Sequence, residues 1–158
     1  MSAVEIETMD RILVGLDASP RSEGILATAT ELARRTGGKL ILFRAVGVPH
    51  EIPVEAYSMT PASLAELLER EAKTYLDQIA ATLPKDMVAT TTVHVGTPWQ
   101  GICAAADEQA ADLIVIGSHG YSGLDRVIGT TAAKVVNHAK QSVLVVRGRP
   151  VMVPSAAP

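Results

Sequence analysis

The chain has 158 residues, 47% of them hydrophobic, 20% charged and 3% aromatic, with a formal net charge of −3. That length fits one domain, and Val, Ile, Leu and Ala must build its core, because it holds one Trp, three Tyr and one Phe. The acidic balance argues against a nucleic-acid partner, and the single cysteine, Cys103, leaves no intrachain disulfide. No apolar run approaches the ~20 residues of a membrane span, so no membrane role is expected. Met1–Asp10 carries Glu5, Glu7 and Asp10 where a signal peptide has a basic start. The expectation is a cytoplasmic protein.

Ile12–Leu16 is the first of four nearly continuous apolar runs, the pattern of strands covered on both faces. Ile25, Leu26, Ala29, Leu32 and Ala33 then share a helical face, and Gly37-Gly38 predicts its stop. Leu40–Val46 is the second run. Gly47–Thr60, about 14 residues with two prolines and no periodicity, is long for a connection and is a candidate lid or partner-binding element. Leu64, Leu67, Leu68, Tyr75, Leu76, Ile79 and Leu83 mark a longer helix that Pro84 ends. Thr91–Val95 alternates, with Val93 and Val95 on one face and Thr92 and His94 on the other, as suits an edge strand.

Thr97-Pro98 reads as an N-cap followed by proline at the first helical position, and that helix buries Ile102, Ala105 and Ala106. Leu113–Ile116 is the next strand, Ala132, Val135, Val136 and Ala139 form a fourth helical stripe, and Val143–Val146 closes the series. The alternation predicts an α/β fold: an open five-stranded parallel sheet with helices on both faces and right-handed crossovers. Residues 1–10 read as an N-terminal extension, 11–147 as a single domain, and 148–158, with three prolines, as a loose tail.

Open α/β sheets bind ligands beyond the carboxyl ends of their strands, where the winding reverses. Two strand ends carry unusual residues: Asp17-Ala18-Ser19-Pro20 after the first, and Gly117-Ser118-His119-Gly120-Tyr121-Ser122-Gly123 after the fourth. If both serve one ligand, those strands are neighbours, and the order 3-2-1-4-5 follows from that shared role. Gly117, Gly120 and Gly123 allow close backbone approach and positive φ. Gly129-Thr130-Thr131 opens the last helix, whose unpaired amides and dipole suit a phosphate. The plainer alternatives are that the glycines only turn the chain, that Thr130 caps its helix and that Asp17 caps the first helix.

These stretches resemble the universal stress protein family. The resemblance runs from about Arg11 to Arg147. It rests on Ile12-Leu13-Val14-Gly15-Leu16-Asp17, Gly96-Thr97-Pro98, Asp112-Leu113-Ile114-Val115-Ile116-Gly117-Ser118-His119-Gly120 and Ser142-Val143-Leu144-Val145-Val146-Arg147. It implies a Rossmann-like homodimer, and one branch of the family binds ATP through Gly, two residues, Gly, nine residues, then Gly and Ser or Thr. Here Gly117 and Gly120 fit, but eight residues, Tyr121 to Ile128, precede Gly129-Thr130.

The resemblance implies that Asp17 faces the ribose or a phosphate-bound Mg²⁺. It also implies that Ala45 and Ile116 bracket the adenine, that Gly117 and Gly120 approach the ribose and phosphates, and that Gly129, Thr130 and Thr131 sit at the phosphates. Arg126 and Arg147 are the nearest candidate cations.

His50, His94, His119 and His138 show no metal-ligand spacing, and Cys103 reads as a small core residue. No nucleophile elbow accompanies Ser19, His119 and Asp17, and neither a P-loop nor a dinucleotide pattern follows the first strand. The apolar last strand, Ser142–Val146, is expected to pair with a second copy of itself, the alternative being cover by the tail. The leading expectation is an ATP-binding homodimeric stress-response or regulatory protein with at most slow hydrolysis and a protein partner of unknown identity. A nucleotide-free interaction module of the same fold is the alternative, and an enzyme with an adenylated intermediate is the weakest reading.

Overall fold

A computed structural model describes residues 8–47, 60–118 and 128–147. The elements run β1 (Arg11–Gly15), α1 (Ser22–Thr36), β2 (Lys39–Val46), α2 (Pro61–Thr82), β3 (Val88–Val95), α3 (Pro98–Glu108), β4 (Leu113–Gly117), α4 (Thr130–His138) and β5 (Ser142–Val146). The five strands form one parallel sheet in the order β3-β2-β1-β4-β5, as the shared-ligand argument requires. β3 lies at one edge, as its alternation predicts, and begins three residues earlier than its most regular stretch.

Strand alternation divides the core. Ile12 and Val14, Leu40 and Leu42, and Leu113 and Val115 point to one face, where α1 and α2 cover them with Ile25, Ala29 and Leu76. Leu13, Ile41, Phe43, Ile114 and Ile116 point to the other, against Ile102, Ala105 and Ala106 of α3 and Ala132 and Val135 of α4. Burial on both faces explains why the central strands read as unbroken apolar runs.

The helix ends follow local chemistry. Gly37 takes a left-handed φ of 72° that ends α1. The Thr60 side chain accepts from the Ser63 amide at the start of α2, and Leu83, extended before Pro84, ends that helix. Thr97 is the N-cap residue of α3 and Pro98 follows it, but the Thr97 side chain makes no cap hydrogen bond, so proline's fixed φ is what starts this helix.

Candidate functional site

The carboxyl ends of β1 and β4 meet at the middle of the sheet, where the winding reverses. Val14 of β1 is in register with Val115 of β4, which brings Asp17 and Gly117 onto one rim. The start of α4 is tied to the same rim: the Gly129 amide donates to the Ser118 carbonyl at 2.8 Å, and the Ser118 amide donates to the Val146 carbonyl at 2.9 Å.

Asp17 follows β1 and is exposed. Its Oδ1 accepts from the Ser19 amide at 2.9 Å and from the Ser22 hydroxyl at 2.8 Å, and Ser22 is itself buried. Oδ2 makes no hydrogen bond among the described residues. One oxygen therefore fastens the turn into α1 while the other stays open. Partial burial raises the carboxyl's pKa, but the bonds from Ser19 and Ser22 outweigh it, so the group lies below the ordinary carboxylate value and is ionised at neutral pH. The cap of α1 is Arg21, not Asp17, although Asp17 braces the turn before it. Between these groups Ala18 holds a φ of 61°, a left-handed conformation that costs an alanine roughly 1–2 kcal/mol.

Gly117 ends β4 without a positive φ; the positive-φ glycines among the described residues are Gly37 and Gly96. Its missing side chain serves close packing instead, since a Cβ there would lie 2.8 Å from Ile25 Cδ1 of α1. Gly129 is the N-cap of α4, with an ordinary extended backbone and no side-chain cap bond. Its amide is already engaged with Ser118, so it is not the free donor that the sequence suggests. The first bond within α4 runs from the Ala133 amide to the Gly129 carbonyl. The amides of Thr130, Thr131 and Ala132 therefore have no partner inside the helix and point out of its N-terminus. Thr130 is exposed and Thr131 half-buried.

Ala45 and Ile116 lie on the same α3/α4 face, with Gly15 of β1 between their strands. Ile116 is a core side chain, 4% exposed, packed over Gly15, whereas Ala45 is half-buried near the end of β2. The rim thus gathers Asp17, Gly117, Gly129, Thr130 and Thr131, with Ala45 one strand beyond β1. Gly120, Gly123, His119 and Arg126 lie outside the described residues, as does nearly all of the Gly47–Thr60 segment.

The sequence shows His94 without metal-ligand spacing and gives it no role. It is half-buried at the end of β3, in register with Ala45. Gly101, one turn into α3, was the available signal, because a glycine inside a helix marks a close approach. Among the described residues no group of three or more His, Cys, Asp or Glu side chains could hold a metal on its own, and no helix is long and apolar enough to cross a membrane. An open, polar depression of about 580 Å³ lies elsewhere, beside the middle of β3, lined by Glu66, Glu69, Arg70, Lys73 and Thr91 among others.

Comparison with known proteins settles the family. The model of the universal stress protein family matches residues 8–147. The chain belongs to the universal stress protein family. A universal stress protein of Synechocystis is 29% identical over 149 residues, spanning 87% of this chain and 97% of that protein. The solved UspA of Lactobacillus plantarum is 28% identical, with a TM-score of 0.67 over 88% of this chain and 98% of its own. A universal stress protein solved in complex with cAMP is 27% identical, with a TM-score of 0.61 over 90% of this chain and 99% of its own.

Proposed function

We propose that this universal stress protein binds an adenine nucleotide, ATP with Mg²⁺, across the rim formed by β1, β4 and the start of α4. The observation that carries the reading is the convergence of three α4 amides that have no partner among the described residues with an ionised carboxylate that has one oxygen open. The amides and the positive end of the helix dipole suit a phosphate chain, without help from net charge. Thr130 and Thr131 add hydroxyls there, and Gly120 belongs to the same glycine segment in sequence. Asp17 supplies one hard oxygen ligand, which suffices for Mg²⁺ when phosphates and water supply the rest. A relative holding cAMP at 27% identity supports adenine as the base.

Among the described residues no general base or arginine finger stands out, and the activity we propose is binding, with hydrolysis slow at most. Calorimetric titration of the purified chain with Mg-ATP tests the reading. Saturable heat is expected, and Gly120→Val should abolish it; no saturable heat at millimolar nucleotide overturns the proposal. One observation favours the second reading, a nucleotide-free interaction module: the Gly129 amide is already spent on Ser118. Native mass spectrometry of freshly purified protein separates the two by a retained adenine nucleotide or its absence.

The assembly we propose is a homodimer through β5. At the other edge, Lys73 reaches both Asp77 and Thr91, laying a charged clasp over β3. Ser142–Val146 carries no charge, and Leu144 is 37% exposed. Charged cover blunts an edge against pairing, and its lack among the described residues supports pairing of β5 with a two-fold copy; the tail named as the alternative cover lies outside the described residues. Sedimentation should give a dimer, and Leu144→Glu a folded monomer; a wild-type monomer at high concentration contradicts it.

A further inference from the structure

Resting on that nucleotide reading, we propose that His94 is a further ligand-binding residue, one that hydrogen-bonds the polar edge of the base remote from the sugar. The sheet order lays out the path. Phosphate donors stand beyond β4, Asp17 follows β1, Ala45 lies near the end of β2, and His94 occupies the matching place on β3. Three strand spacings span roughly 14 Å, the scale of an extended nucleotide. A ligand with its phosphates at α4 and its base against Ala45 therefore directs the far edge of that base at β3.

The setting of His94 is built for a ring held in one place. A Cβ on Gly101 of α3 would lie 2.5 Å from His94 Cγ and 2.9 Å from its Cβ. A Cβ on Gly96 would lie 3.0 Å from Nε2, and Gly96 itself has a φ of 137°. Gly101 thus leaves room for the ring that a side chain would take, and Gly96 passes close to its Nε2. The Cγ–Cδ2 edge of the imidazole lies against α3, and its Nδ1 edge faces away from that helix.

In this setting neither ring nitrogen has a hydrogen-bond partner among the described residues. A purely packing role needs no nitrogen there, since an apolar side chain would fill the same space. A neutral imidazole offers one donor and one acceptor. Adenine presents a 6-amino donor on the edge in question, and the acceptor nitrogen of a neutral His94 matches it.

A thermodynamic cycle tests this. Wild type and His94→Phe, which keeps a planar ring but removes both nitrogens, are titrated calorimetrically with ATP and with purine riboside triphosphate, which lacks the 6-amino group. Wild type should lose roughly fivefold in affinity when the amino group is removed, the value of one neutral hydrogen bond. His94→Phe should bind ATP as weakly as wild type binds the analogue, with no further loss on the analogue. Should His94→Phe fail to fold, His94→Leu completes the same cycle.

An ATP-to-analogue ratio that is equal in both proteins overturns the inference, and a lower melting temperature with that ratio intact assigns His94 to packing alone. If wild type binds neither nucleotide, the nucleotide reading itself fails and this inference falls with it. Binding of both nucleotides with an unchanged ratio defeats only the role of His94.

Discussion

At the amino ends of the strands, Asp112 Oδ2 accepts from the Asp10 amide at 3.0 Å and the Arg11 amide at 2.9 Å, while Arg11 Nε donates to the Gln109 carbonyl at 2.6 Å. The Asp112 amide returns a bond to the Arg11 carbonyl, and the Lys39 amide bonds the Asp10 carbonyl. At the carboxyl ends, by contrast, three amides of α4 have no helical partner, Asp17 keeps one oxygen open, His94 has unpaired nitrogens among the described residues, and Ala18 holds a left-handed φ. One rim closes its polar groups on each other; the other leaves them unspent and strained. Satisfied groups hold a fold together, whereas unspent donors at a strand end are available to a ligand.

The contrast can be broken or sharpened by substitution. The largest expected effect is at the closed rim. Asp112→Ala removes two charge-assisted hydrogen bonds to backbone amides and should cost about 2–3 kcal/mol in urea denaturation, with nucleotide affinity of the folded protein unchanged. Gly38→Ala comes next, because a methyl group there would run into the Met9 carbonyl and stand 3.4 Å from that of Asp10; about 1–2 kcal/mol is expected, again without effect on binding. A loss of nucleotide affinity in either variant would erase the distinction between the rims.

At the open rim the order of effects reverses. Asp17→Ala should cost only about 1 kcal/mol of stability, yet weaken Mg-ATP binding. Because the folded pKa of Asp17 is depressed, the unfolded chain binds its proton more readily. Its contribution to stability is therefore complete above roughly pH 4 and is lost as pH falls through the lower folded value. Asp17→Asn should flatten that part of the acid limb, and an unchanged limb would show that the Ser19 and Ser22 bonds do not favour the charged form. The smallest effect belongs to Ala18→Gly, a gain of about 0.5 kcal/mol, since relief of the left-handed strain is offset by the freedom of glycine in the unfolded chain. Destabilisation by Ala18→Gly would mean that no strain is stored there.

The sheet was legible because burial on both faces writes itself as unbroken runs such as Leu40–Val46 and Leu113–Ile116. Strand order was legible through chemistry, since Asp17 and Gly117 make sense together only on adjacent strands. Other details depend on tertiary contacts that a linear pattern does not carry. Gly117 invites a reading of backbone freedom, but α1 packs Ile25 where its side chain would be. Gly129 looks like a donor, but the neighbouring strand end takes its amide. Thr97 has the chemistry of a cap and does not cap. The setting of His94 was hard to read in the sequence because its neighbours in space, Ala45 and Gly101, come from β2 and α3.

Amide chemical shifts followed by nuclear magnetic resonance during titration with Mg-ATP put the contrast between the rims to its most direct test. The account predicts saturable shifts at Thr130, Thr131 and Ala132, and at Asp17 and Ala18, with Asp10, Arg11 and Asp112 unmoved. Saturable shifts confined to Asp10, Arg11 and Asp112, or none at millimolar nucleotide, would contradict it.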